Sequence, residues 1–180
     1  MTRAWKGWIE RALFVVGPGG SGKSTALRSM FLDRRLGTRG VVPTTPKVKA
    51  FHSLSNERWL YLRLTSPHEV GESLGEFFSS VERKCDESRW CFASPLRPLA
   101  MRRMPDSAST VRAFVKHFDP ERVRVAFLSP TYDGKTLEEY GADGRLVREL
   151  GRIRNVEVVS IPVGRKRANG LLLADYFDFT

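Results

Sequence analysis

The sequence predicts a single α/β domain over residues 1–180: three layers, with a mostly parallel sheet that carries one antiparallel hairpin strand between layers of helices. Three observations predict it. Short apolar runs of strand length alternate along the chain with stretches of helical period. The first of these runs, Ala12-Leu13-Phe14-Val15-Val16, is continuous and ends in glycine, as a strand covered on both faces would. Two alternating segments between Val48 and Leu64 follow the first helical stretch directly and form the expected hairpin.

From Lys23 onward, Ala26, Leu27, Met30 and Phe31 recur at helical spacing and the pattern stops near Asp33. Arg34 to Pro46 contains Gly37, Gly40 and Pro43 and has no period, which reads as a mobile loop. Val48, Ala50, His52 and Leu54 then alternate with their neighbours. After the turn Ser55-Asn56-Glu57, Leu60, Leu62 and Leu64 share one face. Ser66-Pro67-His68-Glu69 has the form of a helix start, with serine as cap, proline at the first helical position and glutamate closing a capping box. Val70, Leu74, Phe77, Phe78 and Val81 continue that stripe.

Trp90-Cys91-Phe92-Ala93 reads as a buried strand and Ser94 to Asp106 as a Pro- and Arg-rich loop. Val111, Phe114, Val115 and Phe118 trace another helix, and Val123 to Leu128 another strand, with Asp119-Pro120 between them. Thr136 and Glu139 have capping-box spacing. Leu146, Val147 and Leu150 lie on a helix interrupted around Gly141 and Gly144, and Val156 to Ile161 is the last clear strand. Leu171-Leu172-Leu173-Ala174 before Asp175 has a strand-then-aspartate look, but at the end of the chain it reads rather as a terminal core segment.

Composition narrows the class. Hydrophobic residues make up 41% and charged residues 28%, the balance of a soluble globular protein. No apolar run approaches the roughly 18 residues of a membrane span, and Met1-Thr2-Arg3-Ala4-Trp5-Lys6 lacks the apolar core of a signal peptide, so a cytoplasmic location is expected. Cys85 and Cys91 are too few for a disulfide framework and have no histidine at metal-ligand spacing; two reduced structural thiols are expected. The net charge of +10 favours encounter with phosphates, nucleic acid or acidic partners. The basic clusters Arg34-Arg35, Arg102-Arg103, Arg152 with Arg154, and Arg165-Lys166-Arg167 are not interleaved with aromatics as a base-stacking surface would be.

One motif carries chemistry. Gly17-Pro18-Gly19-Gly20-Ser21-Gly22-Lys23-Ser24-Thr25 lies between the first strand and the first helix. Such a loop permits a tight concave backbone whose N–H groups converge on phosphates. Gly17 and Gly22 shape the turn, Gly19 and Gly20 allow close approach, and Lys23 neutralises the β- and γ-phosphates. Ser24 is the candidate magnesium ligand, and Thr25 reaches toward an α-phosphate oxygen. The motif is that of the P-loop NTPases, and GTP or ATP with Mg2+ is the expected ligand.

The loop, with a single hairpin after the first helix and regular alternation beyond it, resembles the Ras-like small GTPases over about Ala12 to Val163. That resemblance implies several roles. A threonine before the hairpin would complete the magnesium shell, and Thr44 or Thr45 stands there. The family's Asp-x-x-Gly is replaced by Thr65-Ser66-Pro67-His68, so Thr65 stands in the place of a metal-shell aspartate without its charge. Glu69 falls where the family positions its attacking water, beside its alternative role as a helix cap. Pro130-Thr131-Tyr132-Asp133 replaces Asn-Lys-x-Asp, leaving Asp133 as the one match to the guanine-reading aspartate. Arg39 precedes the loop threonines as a candidate finger on the γ-phosphate.

The sequence reading therefore carries Lys23 and Glu69 as catalytic candidates; Gly17, Gly19, Gly20, Ser21, Gly22, Lys23, Ser24, Thr25 and Asp133 for the nucleotide; and Ser24, Thr44, Thr45 and Thr65 for the metal. Three functions compete: a slowly hydrolysing nucleotide switch read by a protein partner; a kinase with Arg97, Arg102 and Arg103 as its lid; and a small ATPase subunit of a nucleic-acid machine, which would use the positive charge.

Overall fold

The computed structural model describes residues 6–55 and 57–179. Six strands form one sheet in the spatial order β2-β3-β4-β1-β5-β6. They are β1 (Trp8–Val16), β2 (Phe51–Ser55), β3 (Arg58–Leu62), β4 (Arg89–Leu96), β5 (Arg122–Leu128) and β6 (Val156–Ile161). Every neighbouring pair is parallel except β2 with β3, which is antiparallel. The hairpin is therefore present and forms one edge of the sheet; Asn56 of its turn lies outside the described residues, as do Met1–Trp5.

The helices are α1 (Lys23–Ser29), α2 (Pro67–Val70), α3 (Leu74–Lys84), α4 (Ser107–Phe118), α5 (Gly144–Gly151) and α6 (Lys166–Asp175). They divide between the two faces of the sheet according to the pleat of β1. Ala12, Phe14 and Val16 point to one face and meet Phe77 and Val81 of α3, Phe114 of α4, and Leu146 and Leu150 of α5. Leu13 and Val15 point to the other and meet Leu27 of α1 and Leu173 and Ala174 of α6. Alternate residues of a strand face opposite sides, so the uninterrupted apolar run of β1 is what two helical layers require. Full burial of each such aliphatic or aromatic side chain contributes about 1.5–3 kcal/mol.

Three local expectations are corrected, and the chain end is resolved. Ser66 caps α2 without a side-chain hydrogen bond, and α2 is a single turn stopped at Gly71, whose φ is 77°. The reciprocal capping box forms instead at Ser73 and Glu76, and it opens α3. The Glu69 carboxylate is directed instead toward Lys23 and Arg97. β4 continues through Ser94 and Pro95 to Leu96 rather than ending at Ala93. Pro95 is tolerated although β4 is internal, and it is paired with Val15. Leu171 to Asp175 belongs to helix α6, with Leu171 and Leu172 exposed and Leu173 and Ala174 buried.

Candidate functional site

Parallel register sets the stage. Val16 of β1 is level with Leu96 of β4 and with Phe127 of β5, so the chain leaves three adjacent strands at one edge. Gly17 emerges there, and its N–H donates to Leu96 O at 3.3 Å. The next strand end supplies Arg97. The loop then curls back: Ser21 N–H donates to Pro18 O at 3.3 Å and Ala26 N–H to Gly22 O at 2.8 Å. Among the described residues, the N–H groups of Gly19, Gly20, Gly22, Lys23, Ser24 and Thr25 find no acceptor. Gly22 sits at φ 91°, in the left-handed region that disfavours a side chain.

Lys23 is 5% exposed, and its ammonium is held inside this curl. It donates to Gly17 O at 3.0 Å and Pro18 O at 2.7 Å, and reaches Glu69 Oε1 at 3.4 Å. Burial lowers the Lys23 pKa from its ordinary value, and the Glu69 carboxylate opposes that shift. Arg97 Nε lies 3.6 Å from the same Glu69 oxygen. Its guanidinium covers Gly19, where an added Cβ would come within 2.3 Å of a terminal nitrogen. Ser21 is 4% exposed, and its hydroxyl has no hydrogen-bond partner among the described residues.

The segment after β3 closes the other side. Ser24 Oγ donates to Leu64 O at 2.6 Å, which places exposed Thr65 next to Ser24. His68 is buried; its Nε2–H donates to Pro105 O at 2.7 Å, and Ser66 Oγ lies 3.4 Å from its Nδ1. Burial pushes the His68 pKa below the usual histidine value. Arg102 donates to Glu69 O at 2.7 Å and Arg103 to Gly71 O at 3.1 Å. Arg97, Arg102 and Arg103 thus all contact the turn that carries Glu69.

The structure brings together Gly17, Gly19, Gly20, Ser21, Gly22, Lys23, Ser24, Thr65 and Glu69, with Thr25 on the first turn of α1. Thr44 and Thr45 are exposed, and neither hydroxyl bonds to the glycine loop among the described residues. The loop that bears them is tied to α1 at Arg28, which donates to Pro43 O at 3.3 Å a full turn beyond Lys23. Arg39 is exposed in the same loop at φ 56°. Asp175 is exposed at the end of α6 and pairs with Arg35 at 3.1 Å, away from the loop.

Asp133 belongs to the turn Thr131–Lys135. One of its oxygens accepts from Thr131 Oγ1, and the other meets Lys135 Nζ at 2.9 Å. Lys135 first and Thr131 second hold its carboxyl down to about 2. Tyr132 of the same turn is 56% exposed, and its ring would lie 2.7 Å from a Cβ on Gly22. Gly22, Thr25, Tyr132, Val163, Lys166 and Asn169 line a narrow cleft of 10 Å³, room for about one water. Sequence reasoning missed Tyr132 as a wall of this cleft and Arg97 as a partner of Glu69. Only the extension of β4 to Leu96 places Arg97 level with the glycine loop.

Cys85 and Cys91 are buried and form no disulfide among the described residues, and burial raises both thiols, Cys91 up to about 11. Among the described residues, no group of three or more His, Cys, Asp and Glu side chains is arranged to hold a metal, and no helix is long and apolar enough to cross a membrane. No protein-family model, curated protein or solved structure matches the chain.

Proposed function

We propose that this chain binds a nucleoside triphosphate at Gly17–Thr25 as a P-loop protein and serves as a nucleotide-dependent switch with slow hydrolysis. The observation that carries the reading is the curled glycine loop around Lys23: a buried ammonium together with unspent backbone N–H groups is a cradle for an anion bearing several oxygens. Lys23 supplies the charge that stabilises the terminal phosphates. Thr65, in the place where a metal-shell carboxylate would stand, brings no charge to the metal, which fits slow turnover.

A magnesium ion would draw on few protein groups. Ser24 would be its ligand after releasing Leu64 O, and Thr65 is close enough in the chain to hold one of its waters. Mg2+ bound to a nucleotide commonly takes most of its ligands from phosphates and water, so these hydroxyls fit it, with low intrinsic affinity. The ion would neutralise charge between the β- and γ-phosphates.

A second reading has one specific observation behind it. Arg97, Arg102 and Arg103 converge on the turn beside the loop, as the arginines of a phosphoryl-transfer lid would. Transfer of phosphate from ATP to a nucleotide, a nucleic acid or a small metabolite would separate this reading from the switch, whereas hydrolysis to water would not.

Calorimetric titration of Mg·ATP and Mg·GTP into the wild type and Lys23→Ala tests the proposal. Saturable binding is expected, and the variant loses roughly a hundredfold or more of it, the size expected when a buried charge-assisted contact to phosphate is removed. Unchanged affinity in the variant would rule out the loop as the phosphate site.

A further inference from the structure

We infer that the Glu69 carboxylate is a resident anion at the terminal-phosphate position, that Arg97 is a second terminal-phosphate ligand beside Lys23, and that a triphosphate must displace Glu69 from both. The inference rests on the triphosphate reading above and goes beyond it in naming the ligand that moves.

A single carboxylate oxygen lies 3.4 Å from Lys23 Nζ and 3.6 Å from Arg97 Nε. That is how a phosphate oxygen shared by two cations would be placed, and both separations exceed the roughly 2.7–2.9 Å of a tight charge-assisted bond. The carboxylate holds the position loosely. A phosphate carries more charge and more acceptor oxygens, and it would also meet the unpartnered Ser21 hydroxyl and the loop N–H groups that Glu69 does not satisfy. Arg97 Nε likewise is buried without a hydrogen-bond partner among the described residues.

Displacement has a direction. The Glu69 backbone is anchored by Arg102 at 2.7 Å, and the next turn by Arg103 at 3.1 Å. Leu64 at the start of the segment is held by Ser24, and His68 is held by Pro105. A terminal phosphate and its metal therefore act on the segment at both Ser24 and Glu69, while a diphosphate leaves the Glu69 contact in place. The segment Leu64–Gly71 would report the third phosphate, and the surface it shares with Arg102 and Arg103 would change with it.

The test compares affinities of Mg·ATP, Mg·GTP, ADP and GDP for the wild type, Glu69→Gln, Arg97→Ala, Arg97→Lys and Lys23→Ala, with thermal unfolding confirming that each variant folds. Glu69→Gln should bind triphosphates about tenfold more tightly at low salt, with diphosphates within about twofold of wild type and the gain shrinking as salt screens the competing charge. Arg97→Ala should lose roughly tenfold for triphosphates alone, with Arg97→Lys restoring part of it. Should Glu69→Gln leave triphosphate affinity unchanged or weaken it, or favour both phosphate lengths equally, the inference fails, while a Lys23→Ala loss would leave the nucleotide reading standing. Absence of nucleotide binding in wild type and every variant overturns both.

Discussion

The Lys23 cluster and the turn Thr131–Lys135 hold their charges differently. On one side Lys23, Arg97 and Glu69 meet at long range, and the loop N–H groups and the Ser21 hydroxyl are left unspent. On the other, both oxygens of Asp133 are satisfied inside a five-residue turn by Thr131 and Lys135. Buried polar groups without partners are costly and are retained where a ligand completes them, whereas an exposed, locally closed ion pair contributes little and asks for nothing. On the proposed reading, the Lys23 side is the one that would receive an anion. The Asp133 side is built to hold a turn, and a guanine edge would have to compete with Lys135 for the carboxylate.

Within the glycine loop, substitution at Gly22 should have a larger effect on the fold than at Gly20. Gly22→Ala places a side chain at φ 91° and 2.7 Å from the Tyr132 ring, whereas Gly20→Ala meets only its φ of 72°, with nothing within 4 Å. We expect Gly20→Ala to lose about 1–2 kcal/mol of unfolding free energy, the usual penalty of the left-handed region, and Gly22→Ala to lose more. Denaturant unfolding measures the difference, and equal losses would mean that Tyr132 yields freely.

Adding a charge beside the proposed metal ligand comes next in size. Thr65 is exposed and follows the carbonyl that Ser24 bonds, so Thr65→Asp places a carboxylate beside the proposed metal ligand. Magnesium affinity of the nucleotide complex should rise several-fold, by about 1 kcal/mol for one added charge near a partly solvated ion. An unmoved magnesium midpoint with bound fluorescent nucleotide would place the metal elsewhere.

The smallest effect is expected at Asp133. Asp133→Ala should change ATP and GTP affinities alike and by less than about twofold, since its loss falls within a surface ion pair. A selective loss of GTP would restore Asp133 as a base-reading residue. The turn has its own signature in acid. The Asp133 carboxyl is lowered from 3.8 to about 2, so its contribution to stability is present above the unfolded value and fades as the pH falls through 2. Wild type and Asp133→Asn should therefore differ near neutrality and converge below that pH.

Much of the fold was legible because β1 announces burial on both faces and α1, α3 and α4 show their apolar stripes. The glycine loop was legible for the same reason, since its shape is a property of its own backbone. What escaped the sequence depended on distant partners. Ser66 and Glu69 have capping-box spacing, yet the Glu69 side chain goes to Lys23 and Arg97, across elements whose adjacency only the strand order sets. Ser73 and Glu76 have the same spacing, and there the box forms although Arg103 also pairs with Glu76 at 2.7 Å, since one carboxylate oxygen accepts from both Ser73 N–H and Arg103. Leu171 to Asp175 was ambiguous because a short apolar run fits either period; the buried pair Leu173 and Ala174 against α1 decides for helix.

The account rests on the loop as an anion cradle, and the most direct test follows its amides. In a 15N-resolved NMR titration with Mg·ATP or Mg·GTP, the N–H resonances of Gly19, Gly20, Gly22, Lys23 and Ser24 should shift saturably together, with those of Glu69 and Arg97 following and Asp133 nearly still. Saturating nucleotide that leaves the loop amides unmoved, or that moves only residues outside Gly17–Thr25, would contradict it.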